Sequence, residues 1–413
     1  MNIDSIIQNS ITSLQAQFQK IDLISQHNTE KVLRAFQRNH IALRHFTPSN
    51  GYGYDDTSRD TLERLFADIM HTEAAILRPH IASGTHALSL CLFGILKSGD
   101  NYISASGLPY DTLQTVMGIH KEVEGSIQEL GVAYRQVDLI EDQHIDIPAV
   151  CRSIDEHTKL IMVQRSRGYS SRKALLPDEI GALTDAAKAI KPDIIIMVDN
   201  CYGEFVLEEE PSDYNIDIMA GSLIKNPGGG IAPTGGYICG KKNLIHRIAT
   251  RLTSPGLGLE LGSYEASYRP FYQGLFLAPH VVAQALKVAI LFAEVFAKLG
   301  FPVTPTSDEV RSDIVQILQL KTEDSVIKFC RAIQASSPID GFVVPEPWDM
   351  PGYDNQVIMA AGSFVAGSSI ELSADAPMRE PYNVYIQGSL TFEHGVYALK
   401  NILKEMLPRE KLC

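Results

Sequence analysis

Apolar residues near the N-terminus fall three and four apart, at Ile7, Ile11, Leu14 and Phe18, and again at Val32, Leu33, Phe36 and Leu43. That spacing predicts amphipathic helices over residues 1 to about 46, read as an arm rather than a domain. A turn-rich, tyrosine-bearing loop follows, Thr47-Pro48-Ser49-Asn50-Gly51-Tyr52-Gly53-Tyr54-Asp55-Asp56, and then a helical period through Leu62, Leu65, Phe66 and Ile69. From about residue 74 the pattern changes to short apolar runs alternating with helical periods. The runs are Ala74–Leu77, Tyr102-Ile103, Val132–Val137, Leu160–Val163, Ile194–Val198, Ile218-Met219 and Tyr237-Ile238, with helices from about Thr85, near Leu113 and around Ile180–Ala189. Strand and helix in alternation predict an α/β fold with a mostly parallel, doubly wound sheet. The apolar stretch Val281–Leu299 reads as a long helix leading to a smaller α+β unit, with Ile314–Ile317 as a strand. The organisation expected is an arm over 1–50, a large domain over 51–285 and a small C-terminal domain over 286–413.

Composition narrows the classes of function. The 413 residues hold 36 basic and 49 acidic side chains, a formal charge of -13. That balance disfavours nonspecific nucleic-acid or anionic-membrane binding, both of which need a basic surface, and makes any phosphate site a local construction. Cys91, Cys151, Cys201, Cys239, Cys330 and Cys413 are scattered without a C-x-x-C pair, as expected of free thiols in a reducing cytoplasm. The N-terminus lacks the basic and apolar stretches of a signal peptide, and no run reaches about 18 uninterrupted apolar residues, so a cytoplasmic protein is expected. The histidines form no His-x-x-x-His pair, and no metal is expected.

Chemistry concentrates in Gly221-Ser222-Leu223-Ile224-Lys225-Asn226-Pro227-Gly228-Gly229-Gly230, whose lysine stands 26 positions after Asp199 at the end of the Ile194–Val198 run. Taken alone, Asp199 reads as a helix cap and Lys225 as a solvated lysine before a turn. Together they read as the two poles of a pyridoxal phosphate site: an amine to attach the cofactor aldehyde, and a carboxylate to hold the pyridine nitrogen protonated. Ser83-Gly84-Thr85 opens a helical period and could cradle the phosphate, with Ser222 as a further ligand; alone, it is an ordinary cap. Tyr110, just past the next strand, could stack on the pyridine ring or simply close a proline turn. Arg379, held between Pro377 and Pro381, is the first choice for gripping a substrate α-carboxylate, and the group Arg165, Arg167 and Arg172 the second. The Gly228–Gly230 run suits a loop packed on a cofactor or a neighbouring subunit.

With those residues in place the chain resembles the fold-type I pyridoxal phosphate enzymes, and among them the methionine γ-lyase/cystathionine β-lyase-like family of aluminium-resistance proteins. The resemblance spans nearly the whole chain and rests on Gly51–Asp56 with Arg59–Glu63, Ser83–Ala87, Val198–Phe205, Gly221–Gly230 and Arg379–Tyr382. It implies pyridoxal 5'-phosphate as cofactor and a homotetramer of two active dimers, in which Tyr52 and Tyr54 of one chain reach the phosphate bound by its neighbour. The chain departs from the lyases in that loop, where Tyr54 is followed by Asp55 and Asp56 and the first arginine is Arg59.

The expected activity is a carbon-sulfur lyase acting on a small-molecule amino acid by β- or γ-elimination, with Lys225 and Tyr110 catalytic. Lys225 must be neutral to take a proton, which calls for surroundings that lower its pKa. Transamination, decarboxylation and aldol-type cleavage use the same residues, and a non-catalytic, cofactor-bound stress-tolerance protein is the alternative from another class.

Overall fold

The computed structural model describes residues 2–119, 123–350 and 355–407; Cys413 lies outside them. Helices α1 (Ile3–Ser13) and α2 (Gln15–Arg38) form the N-terminal arm, their apolar stripe of Ile3, Ile7, Phe18, Ile21 and Val32 buried. The Asn2 side chain caps α1 and Asp56 caps α3 (Thr57–Ile69), each accepting from two otherwise unpaired backbone amides.

The body is a seven-stranded sheet. Its elements run β1 (Ala74–Arg78), α4 (Gly84–Ile95), β2 (Asn101–Ser104), α5 (Asp111–Met117), β3 (Ala133–Gln136), α6 (Ile147–Ser153), β4 (Thr158–Gln164), α7 (Pro177–Ile190), β5 (Ile195–Asp199), β6 (Ile218–Ser222), β7 (Gly236–Gly240) and α8 (Lys242–Leu252), in the spatial order β1-β7-β6-β5-β4-β2-β3. Strands β3, β2, β4, β5 and β6 pair in parallel. Only β7 is reversed, pairing antiparallel with both β6 and β1, so β1 runs with the others. The link from Ser222 to Gly236 holds a 3-10 turn and no crossover helix, and without a crossover the next strand must return antiparallel.

Alternate residues of each strand enter different cores. Ile76, Met162, Met197, Ile218 and Ile238 join α4 and α8 on one face, whereas Leu77, Val163, Val198, Met219 and Cys239 join the arm, α3, α7 and the long helix on the other. Burial on both faces explains why the strands read as short continuous apolar runs.

That long helix, α9 (Arg269–Lys298), begins twelve residues before the expected start at Val281. Its length and composition match a membrane span, yet most of it is buried among soluble-core neighbours such as α2, as an all-round apolar helix in a large protein must be. It runs unbroken through the expected boundary between residues 285 and 286 and so contributes to both parts. Beyond it, β8 (Val303–Thr304), β9 (Gln316–Gln319), α10 (Glu323–Ala335), β10 (Val357–Ala361), β11 (Ser373–Pro377), β12 (Asn383–Gln387) and α11 (Phe392–Met406) form an antiparallel sheet, ordered β10-β11-β12-β9-β8, with two helices.

Candidate active site

Because every strand but β7 points the same way, the segments that leave their carboxyl ends meet at one edge. Ser83 follows β1, Tyr110 follows β2, Arg167 and Tyr169 follow β4, Asp199 closes β5 and Lys225 follows β6. A cavity of about 1200 Å³ opens there, lined by Ser83, Gly84, Thr85, Tyr110, Ser222 and Lys225 from the large sheet and by Arg379 from the small domain. This is where a doubly wound sheet presents ligand sites.

At the head of α4, Ser83 accepts the amide of His86 at 3.1 Å, while helix geometry leaves the amides of Gly84 and Thr85 without an intrahelical partner. A Cβ on Gly84 would stand 3.3 Å from both the Cys201 sulfur and Ser222 Cβ, so glycine keeps the cradle open. Thr85 Oγ1 lies 2.9 Å from the Tyr110 hydroxyl. The Tyr110 amide donates to Gln164 Oε1 at 3.0 Å, which fixes the ring over the cavity. Asp199 is buried, pairs in register with Ala220 of β6, and accepts the Cys201 amide at 3.1 Å. The Lys225 ammonium sits 4.0 Å from the centre of the Tyr202 ring. An amine, a flat aromatic and a glycine-lined helix N-terminus on one cavity, with a buried carboxylate coupled to the amine, fit pyridoxal 5'-phosphate.

The charge state of Lys225 differs from the expectation. Burial pulls its pKa down, but Cys201, Tyr202, Asp199 and Tyr110 together outweigh that and raise it above the ordinary lysine value. The surroundings are acidic rather than cationic, and among those groups Asp199 is the carboxylate. Burial in turn raises Asp199, with Lys225 opposing it. The two form a coupled pair, and a carboxylate committed to a ring nitrogen no longer serves to hold an ammonium.

The arginines separate by environment. Arg165 is wholly buried, 3.0 Å from Glu210 and bonded to Asn200 and Ser312, so it braces the loop after β5 and grips no substrate. Arg172 is spent on the carbonyls of Gln164, Ser166 and Lys173. Arg167 lines the cavity with its Nε 3.3 Å from Asp313, and the exposed Arg379 reaches the cavity from its rim. Tyr52 and Tyr54 do not line this chain's cavity; they are 71% and 57% exposed, with ring centres 5.7 Å apart. Sequence reasoning passed over Tyr202, Tyr169 and Glu204. Tyr202 takes a positive φ of 71°, a strained backbone that places its ring beneath Lys225 and that no local pattern announces.

The methionine gamma-lyase family model matches residues 3–407. A carbon-sulfur lyase involved in aluminium resistance from Clostridium novyi NT superposes with a TM-score of 0.94 at 48% identity, over 98% of this chain and 95% of that one. A candidate cystathionine beta-lyase involved in aluminium resistance from Listeria monocytogenes gives a TM-score of 0.96 at 46% identity, over 98% of this chain and 100% of the other. The fold also recurs at 16% identity and a TM-score of 0.64 in the pyridoxal-5'-phosphate dependent protein YhfS of Escherichia coli, over 93% of this chain and 97% of that one.

Proposed function

The chain belongs to the methionine gamma-lyase family, and from that premise we propose that it is a carbon-sulfur lyase that cleaves a sulfur-containing amino acid by β- or γ-elimination. Its cofactor is pyridoxal 5'-phosphate. The observation that carries the reading is that Lys225, on the cavity, and the buried Asp199 leave adjacent parallel strands and are electrostatically coupled to each other.

When bound, the cofactor supplies an electron sink for the pair left on the substrate α-carbon. The amides of Gly84 and Thr85, with the Ser83, Thr85 and Ser222 hydroxyls, would hold its phosphate. Asp199 would keep its ring nitrogen protonated, and Tyr110 would cover its face. Arg379 would hold the substrate carboxylate at the rim, and Lys225 Nζ would take the α-proton.

Product analysis tests the reading. Incubated with cystathionine, methionine and cysteine, the holoprotein is expected to release a thiol with pyruvate or α-ketobutyrate. Amino-group transfer or carbon dioxide without free thiol would replace elimination with another reaction of the cofactor. The exposed Tyr52 and Tyr54 further favour a homotetramer of two active dimers, with these rings lent to the neighbour's phosphate. Sedimentation at the mass of one chain would remove that part of the proposal.

A further inference from the structure

Elimination leaves one proton unassigned. The acid of an alkanethiolate is comparable to the ordinary cysteine thiol near pKa 8.5, so near neutral pH its departure is eased by an acid at the sulfur. Lys225 is engaged at the α-carbon in the lyase reading, on which this inference rests. The Tyr110 hydroxyl is tied to Thr85 Oγ1 at the phosphate end of the cavity, and burial raises its pKa, with Asp199 reinforcing the shift.

Tyr169 stands in the loop after β4. It lines the main cavity and also an adjoining one of about 300 Å³, the two sharing Ser170, Pro377 and Arg379. Its ring rests against Tyr385 of β12, with centroids 5.2 Å apart. Behind it lies Asp375 of β11, whose carboxyl is hydrogen-bonded to Tyr169 and accepts Gln387 Nε2 at 2.9 Å. Tyr169 lines the substrate space and its phenol is hydrogen-bonded to a carboxyl, the arrangement of an acid that can be resupplied. We propose that Tyr169, backed by Asp375, delivers the proton to the departing sulfur. The carbon-sulfur bond breaks with its electron pair going to sulfur. The sulfur then takes the Tyr169 proton, Tyr169 takes the carboxyl proton of Asp375, and Asp375 recovers one from water.

The surroundings of Asp375 agree with this. Burial pushes its carboxyl up to about 6, against the hydrogen bonds from Tyr169 and Gln387 and the charge of Lys225. The buried Cys330 of α10 is also coupled to it, and burial holds that thiol neutral.

The test compares leaving groups on the holoenzyme. S-alkyl thioethers of cysteine and homocysteine need the acid, whereas S-nitrophenyl thioethers release a stable thiolate without one. Tyr169→Phe is expected to lower kcat by about 100-fold on the alkyl substrates and by less than about 3-fold on the nitrophenyl ones. The alkyl-to-nitrophenyl ratio of the unmodified enzyme should fall as pH rises through about 6 and stay flat in Asp375→Asn, a variant that reports even if Tyr169→Phe misfolds. An equal loss on both substrates, or an unchanged pH profile in Asp375→Asn, would show that Tyr169 only shapes the cavity. If the unmodified enzyme releases no thiol from either class, the lyase reading itself falls.

Discussion

Glu204 is a single buried carboxyl near this site whose effect falls on stability rather than on the cavity it does not line. It is wholly buried; Oε1 accepts the Tyr237 hydroxyl at 2.6 Å, and Oε2 has no partner among the described residues. Gly221 makes room for it, since a Cβ there would stand 2.7 Å from the Tyr237 ring and 2.9 Å from Glu204 Oε1. Burial pushes its carboxyl up to about 8, with the Tyr237 bond and Lys225 opposing the shift and Glu210 adding to it. The folded chain therefore keeps a proton that the unfolded chain releases near 4.5, and stability must fall as pH rises from about 4.5 to 8. The 3.5-unit difference between those two values corresponds to at most about 5 kcal/mol. Glu204→Gln is expected to flatten the thermal midpoint across that range; the same slope in both proteins would contradict it. Lys225, Asp199 and Ser83 were legible because their residue types and order along the chain carry the chemistry. The charge state of Lys225 was not, because its neighbours Ile224, Asn226 and Pro227 are uncharged and the acidic groups arrive from the β2 and β5 loops.

At the scale of elements, the turn that carries Lys225 is held by α9. A Cβ on Gly229, whose φ is 55°, would meet the Gly274 carbonyl at 2.4 Å, and one on Gly274 would meet the Gly228 carbonyl at 2.2 Å. Gly228 and Gly229 of the glycine run press against this helix of their own chain. Gly274→Ala should push the turn off the helix, lowering stability by about 1–3 kcal/mol and weakening cofactor retention. Calorimetry and the cofactor-to-protein ratio check this, and unchanged values for both would mean the packing is looser than described. The strands of the large sheet and most helices could be read from their apolar periods, whereas β8, β10, β11 and β12 of the small sheet were not. The first turns of α9 could not, because Gly274 and Pro279 look like breakers, yet the helix runs through both, with Gly274 packed on the Lys225 turn. The short helices α6 and α8 were also missed, α8 being amphipathic with its apolar side laid on α4 at Gly94.

Across the whole molecule, the parallel strands do what the linear order only suggested: residues from 83 to 225 reach one edge, and the small domain closes over it with Arg379. Alternating strand and helix made that convergence legible. The placement of Tyr169 against Asp375 and Tyr385 was not, since it depends on how the second sheet lies against the first, and no local pattern encodes that contact. Everything about function depends on which amine carries the cofactor. Borohydride reduction of the holoprotein followed by peptide mass spectrometry should find one reduced cofactor per chain, fixed to Lys225 and absent from Lys225→Ala. No adduct, or an adduct on another lysine, would contradict the site described above.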